Sequence, residues 1–228
     1  MPAPIVVFDL DGTLVDTAPD LVATLNWVLD GIGLPGVPYA EARYLVGGGA
    51  RKMIERALSA ERRNLPAAEI DRLIQGFIAH YANHIADRSR PFEGLEAALD
   101  QLSQCGCRLA VCTNKLEWLS RRLLDALGLA TRFVVICGAD TFGVQKPHPE
   151  LLRATLSLAG ERVENAIMVG DSVNDVAMAK SLGVWVIAVD YGYSETPVVQ
   201  LGADRVISDL SELPGAVFEL AAAPARAT

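Results

Sequence analysis

The sequence predicts an α/β fold, a doubly wound parallel sheet interrupted after its first strand by an all-helical insertion. Three observations predict it. Short, continuous apolar runs rich in β-branched residues recur along the chain, as expected of strands buried on both faces. From residue 94 onward these runs alternate with helical patterns, and such alternation points to parallel strands with helical crossovers. Between the first run and residue 90 only helical periodicity appears.

Ile5 to Phe8 is the first strand, and it leads straight into Asp9-Leu10-Asp11-Gly12-Thr13. In open α/β sheets ligands gather beyond the carboxyl ends of strands. If the chain stays extended through Leu10, Asp9 and Asp11 face the same side and reach one metal or one substrate, and Gly12 lets the backbone turn away. The alternative is a strand closing in an Asx-type turn. Thr17 with Asp20 then resembles a capping box, followed by Leu21, Leu25, Val28 and Leu29 on one helical face. Gly31, Gly33, Pro35, Gly36 and Pro38 break that helix. Helices are expected at about 40–45, 50–58 and 67–87 before Arg90-Pro91-Phe92-Glu93-Gly94 returns the chain to the core. Residues 16–89 are thus expected to be a helical cap domain, and residues 1–15 with 90–228 the catalytic core.

In the second part of the chain, helices are expected near 94–105, 116–127, 148–159 and 173–182, and strands near 108–112, 133–137, 166–170 and 185–189. Val206-Ile207 adds a short edge strand, and the Ala/Pro-rich end from Ala221 is expected to fray. Three of these strands are followed by polar clusters: Thr113-Asn114, a loop reaching Lys146-Pro147, and Gly170-Asp171-Ser172-Val173-Asn174-Asp175. Taken singly, Thr113, Asn114, Asp171 and Ser172 are also good helix caps, and Lys146 is also an ordinary surface lysine. Together with Asp9 and Asp11 they are strand ends sharing one site.

These motifs, Asp9-Leu10-Asp11-Gly12-Thr13-Leu14-Val15-Asp16-Thr17, Thr113-Asn114, Lys146-Pro147-His148-Pro149 and Gly170 to Asp175, resemble those of the haloacid dehalogenase superfamily of aspartate-nucleophile phosphotransferases. The resemblance covers nearly the whole chain. Val46 to Arg51, Gly138 to Phe142 and Val189 to Tyr193 are similar to the phosphoglycolate phosphatase group within it, although related sugar phosphatases share parts of these stretches. The resemblance implies a Rossmann-like core and Mg2+-dependent hydrolysis of a phosphate monoester, with 2-phosphoglycolate as the favoured substrate. Asp9 is implied as the nucleophile that forms an aspartyl phosphate. Asp11 is implied as the acid and then the base, so Asp9 must be ionised while Asp11 holds a proton in the first step. Asp9, the backbone carbonyl of Asp11, Asp171 and, directly or through water, Asp175 are the implied metal ligands, an all-oxygen set of the kind Mg2+ prefers. Thr113 and Asn114 are implied to hold the phosphoryl oxygens, and Lys146 to neutralise charge.

The cap is expected to choose the substrate. Gly47-Gly48-Gly49 ahead of a helix near Ala50 offers backbone N–H groups to an anion, and Arg51 and Lys52 add charge. The alternative is a glycine hinge beside two solvated basic residues. Rival readings are a sugar-phosphate phosphatase or a β-phosphoglucomutase-like phosphotransferase on the same core. A phosphonatase would need Lys52 as its Schiff-base lysine. Asp11 disfavours the dehalogenase branch, and a catalytically silent binding module is disfavoured by the complete residue set.

Composition narrows the partners. The chain has 228 residues, 51% of them hydrophobic, enough for a sizeable core. With 20 basic and 28 acidic residues and a net charge of −8, extended binding to nucleic acid or an anionic membrane is disfavoured. A small phosphorylated metabolite must then be attracted by local groups. No apolar run is long enough for a membrane span, and residues 1–4 pass directly into a strand, so no signal peptide is expected and the expected compartment is cytoplasmic. Cys105, Cys107, Cys112 and Cys137 form no Cys-x-x-Cys pair and are expected to be reduced structural thiols. His80 and His84 are expected as exposed helix residues, and Trp27, Trp118 and Trp185 as core or helix-face packing. There is no glycine-rich P-loop.

Overall fold

A computed structural model describes residues 3–223. The strands are β1 (Ile5–Phe8), β2 (Val15–Asp16), β3 (Arg90–Pro91), β4 (Arg108–Cys112), β5 (Val135–Cys137), β6 (Ala166–Gly170), β7 (Trp185–Val189) and β8 (Arg205–Ile207). The helices are α1 (Ala18–Asp30), α2 (Tyr39–Ala42), α3 (Gly49–Ala60), α4 (Ala67–Asn83), α5 (Leu95–Gln104), α6 (Glu117–Ala126), α7 (Pro149–Leu158), α8 (Val173–Ser181) and α9 (Leu213–Ala222).

Six strands form one sheet in the order β5-β4-β1-β6-β7-β8, and every neighbouring pair in it is parallel. Alternation along β1 divides the core. Val6 and Phe8 pack with apolar residues of α5, α6 and α9, whereas Ile5 and Val7 pack with those of α7 and α8. A strand buried on both faces has no solvent side, which is why its sequence is continuously apolar. The strand order reverses at β1, since β4 lies on one side and β6 on the other. The end of β1 is therefore the switch point where such sheets open a crevice.

Helices α1 to α4 lie between β2 and β3, and these two short strands pair antiparallel, Val15 with Pro91 and Asp16 with Arg90. The capping box expected of Thr17 and Asp20 does not form. Thr17 makes no side-chain cap bond, because its Oγ1 donates to Asp11 Oδ1 at 2.8 Å. The N–H of Ala18 donates instead to Tyr193 Oη at 3.0 Å. Asp20 is buried and accepts from the N–H groups of Arg88 and Ser89 and from Ser89 Oγ, at 3.0, 2.7 and 2.7 Å, tying the start of α1 to the returning chain. Asp20→Ala would leave three donors without their acceptor, and unmade bonds to a buried charge are costly. The expected loss is about 3 kcal/mol, read from the urea unfolding midpoint; a loss within the error of that measurement would show the tie to be dispensable.

Other elements differ from expectation at their ends. The helix expected at 40–45 is one α-turn followed by a 3-10 turn, Arg43–Leu45. Helix α4 stops at Asn83, short of 87, with His84 leaving helical geometry and its Nδ1 2.8 Å from Asp87. Strand β5 starts at Val135 because Ala130–Arg132 forms a 3-10 turn ahead of it. At the far end, α9 reaches Ala222 where fraying from Ala221 was expected; residues 224–228 lie outside the described residues.

Trp27 is 52% exposed and stacks on His80, their ring centroids 4.3 Å apart. Trp118 is exposed as well, so neither is a core residue. The four cysteines are free, with Cys107, Cys112 and Cys137 buried. Burial pushes the Cys112 thiol up to about 12, leaving it inert as a nucleophile. No described helix is long and apolar enough to cross a membrane.

Candidate active site

The ends of β1, β4 and β6 and the loop after β5 converge on one buried polar cluster. The N–H of Asp9 still follows the sheet, bonding the carbonyl of Val169 at 2.9 Å, and its Oδ1 accepts from the N–H of Leu10 at 2.7 Å. Gly12 has φ +83°, and a Cβ there would stand 2.6 Å from Asp171 Oδ2. The turn after Asp11 therefore needs glycine both for its backbone angle and for the approach of Asp171.

Asp9, Asp171 and Asp175 each place a carboxylate oxygen within 4.8 Å of the other two. Lys146 Nζ is 2.7 Å from Asp9 Oδ2 and 2.7 Å from Asp175 Oδ1. Asp175 Oδ2 accepts from Ser172 N and Oγ at 3.1 and 2.6 Å, so the first turn of α8 holds this carboxylate in place. Asp171 Oδ2 accepts from the N–H of Tyr193 at 2.7 Å, and its Oδ1 from Thr13 Oγ1 at 3.3 Å.

Burial is the largest influence on Asp9 and Asp171. It raises Asp9 to about 6, with Lys146 opposing and Asp175 adding to the rise. It raises Asp171 to about 8, with Asp9 and Asp175 adding to the rise. Burial also works against the Lys146 charge, but Asp175 and Asp9 outweigh it and hold the ammonium protonated well above the usual lysine range. Four carboxylates, counting Asp11, face two ammonium groups. That surplus of negative charge on clustered hard oxygens fits a divalent cation, and Asp9, Asp171 and Asp175 are the side chains that would hold it.

Asp11 is held by two other groups. Lys115 Nζ is 2.9 Å from each of its oxygens, and Thr17 donates to Oδ1. Lys115 follows Thr113 and Asn114 directly, yet sequence reasoning missed it; its position after that pair was the one available signal. Tyr81 and Tyr193 were missed as site residues too. Tyr193 Oη donates to Asp16 Oδ1 at 2.5 Å and accepts from Ala18, so its phenol and its N–H brace the segment between Asp16 and Asp171.

A cavity of about 230 Å3 opens beside this cluster, bounded by the strand ends and by α3 and α4. Asp9, Asp11, Thr113 and Asn114 line it, with Gly47, Gly48, Gly49 and Arg51 on the opposite side. Three residues expected to bind substrate have other contacts in this structure. Asn114 spends its amide on the backbone: Oδ1 accepts from Lys146 N at 2.7 Å, and Nδ2 donates to the carbonyls of Gly47 and Lys146, each at 3.3 Å. It braces the Lys146 loop against the glycine segment. The Arg51 side chain is 54% exposed and paired with Asp71 and Glu55 at 2.5 and 3.4 Å, so its charge is answered at the surface. Lys52 is exposed and does not line the cavity; its stem crosses Gly48, where a Cβ would come 2.4 Å from Lys52 Cδ.

A family model described as haloacid dehalogenase-like hydrolase matches residues 6–189. The chain belongs to this family. Among relatives of known description, a phosphoglycolate phosphatase of Agrobacterium fabrum is 46% identical over 217 residues, covering 95% of this chain and 93% of that protein. Another, of Mesorhizobium japonicum, is 46% identical over 213 residues, covering 93% and 94%. A crystal structure described as a predicted phosphoglycolate phosphatase from Haemophilus somnus superposes with a TM-score of 0.87 at 27% identity, covering 94% of this chain and 97% of that one.

Proposed function

We propose that this protein is a Mg2+-dependent phosphomonoester hydrolase that works through an aspartyl phosphate on Asp9, with 2-phosphoglycolate as its substrate. The observation that carries the reading is the Asp9 carboxylate at the switch point of the sheet, 2.7 Å from Lys146 and clustered with Asp171 and Asp175. The relatives named phosphoglycolate phosphatase support the choice of substrate. On this reading residues 16–89 act as a cap over a core made of 1–15 and 90–228.

The chain's own residues divide the work. Asp9 forms a bond to phosphorus as the ester oxygen leaves, and Asp11 gives that oxygen a proton. Water then attacks the aspartyl phosphate while Asp11 takes its proton, freeing phosphate and restoring Asp9. Lys146, fixed between Asp9 and Asp175, offsets negative charge as the phosphoryl group transfers. Thr113, buried at the end of β4, is placed to bond a phosphoryl oxygen. When bound, Mg2+ neutralises charge on the nucleophile and on the phosphoryl group. The direct test is phosphate release by the purified protein from 2-phosphoglycolate and from a panel of sugar phosphates, with Mg2+ and with EDTA. A preference for a hexose phosphate, or turnover indifferent to EDTA, would overturn the assignment.

A pH dependence follows from the raised acids. Between about pH 4 and 8 the folded, ion-free site keeps protons that the unfolded chain has released, so these two groups lower stability as pH rises. A divalent cation competes with those protons, and its binding should strengthen over the same window. The rise in Tm caused by Mg2+ is expected to grow from pH 5 to pH 8 and to vanish in Asp171→Asn. An equal rise at both pH values would place the ion elsewhere.

A further inference from the structure

Tyr81 lies on α4 and is buried, and its hydroxyl has no hydrogen-bond partner among the described residues. Burying a phenol oxygen without a partner is unfavourable, and such a group in a folded protein calls for an explanation. The ammonium of Lys115 stands over the face of the same ring, 4.6 Å from its centroid, with a side chain only 5% exposed. Two of the three ammonium protons suffice for its bonds to Asp11, which leaves one to give. Burial, with Asp11 and Asp20 nearby, holds the phenol protonated as a donor. Both residues line the cavity that Asp9 opens into.

We propose that Lys115 and Tyr81 together receive the carboxylate of the substrate, while the phosphate end lies at Asp9. The inference rests on the phosphomonoesterase reading and names the groups that select its substrate. A cation and a hydroxyl donor on one aromatic ring match a singly charged group with two acceptor oxygens. The surrounding wall, including Leu21, Val46, Met53, Ile74 and Phe77, is apolar. It offers little to the hydroxyls of a sugar, which would be buried unpaired. Arg51, the other cation lining the cavity, is answered at the surface by Asp71 and Glu55.

Ethyl phosphate is 2-phosphoglycolate with a methyl group where the carboxylate stands, so the ratio of kcat/KM for the two esters isolates recognition of the acid. Lys115→Met is expected to lower that ratio by about thirtyfold. Tyr81→Phe keeps the ring and its packing, and is expected to lower the ratio by about fivefold. Calorimetry supplies a readout without turnover: wild-type protein should bind 3-phosphonopropionate more tightly than propylphosphonate, and Lys115→Met should lose the difference. If both variants change the two esters equally, Lys115 and Tyr81 serve only to hold Asp11 and the fold, and the proposal fails. A collapse of the ratio in Arg51→Ala with no change in Lys115→Met would overturn it in favour of α3. Wild-type protein that hydrolyses neither ester refutes the hydrolase reading itself, an outcome distinct from a hydrolase whose preference ignores Lys115.

Discussion

Asp9→Asn is expected to reduce phosphate release from 2-phosphoglycolate by at least ~10^4-fold while the protein stays folded. An amide oxygen is nearly the same size as a carboxylate oxygen but is a far weaker nucleophile, so the covalent step is removed with little change in packing. The N–H of Leu10 at 2.7 Å and Lys146 at 2.7 Å hold the side chain from two sides, and one amide oxygen keeps one of these bonds. The buried cluster also loses a carboxylate that burial already disfavours. Thermal unfolding of the ion-free variant should therefore occur at or above the wild-type Tm. Turnover within tenfold of wild type would exclude an aspartyl phosphate at this position, and a collapse of Tm would mean that the carboxylate is structural.

Lys146→Met should do damage of a different kind. Its side chain is 1% exposed, and its ammonium sits between Asp9 and Asp175. Removing one partner of a buried ion pair leaves the other charges uncompensated, and the expected cost is about 3–5 kcal/mol. Stability and catalysis should fall together, since the same charge offsets the phosphoryl group in the transition state. A loss of about 10^2–10^3 in kcat is expected, with KM changing much less. Lys146→Arg, which keeps the charge but alters its shape, should recover part of the stability and little of the rate. Loss confined to KM would reassign Lys146 to ground-state binding, and unfolding energies equal to wild type would mean the two carboxylates are neutral without it.

The parts of this molecule that were legible in its sequence are those carried by local pattern. The runs Ile5 to Phe8, Leu109 to Cys112, Ala166 to Gly170 and Trp185 to Val189 became strands, because the doubly covered stretch of a parallel strand must be apolar throughout. Asp9, Thr113, Lys146 and Asp171 follow strands or strand-linked loops, and parallel strands bring such ends to one edge. Where local pattern misled, a distant group competed for the side chain. Thr17 and Asp20 have the spacing of a capping box, yet Asp11 takes the hydroxyl and the backbone of residues 88 and 89 takes the carboxylate. Arg51 looked like an anion ligand from its place after three glycines. It lines the cavity, and Asp71, twenty residues away on α4, pairs with it at the surface.

By itself, then, the sequence determined the sheet, the order of its strands' polar ends and the residue types that meet beyond them. Tertiary structure alone decided the partners: Lys115 with Asp11 across 104 positions, the N–H of Tyr193 with Asp171, and the ring of Tyr81 beneath the Lys115 ammonium. The physical reason is one of range. Backbone preference and hydrophobic period act within a turn or a strand and say which way a side chain faces. Which charge answers which depends on how loops from separate elements pack over the strand ends, and in a buried, low-dielectric site that choice sets the proton affinities and the chemistry.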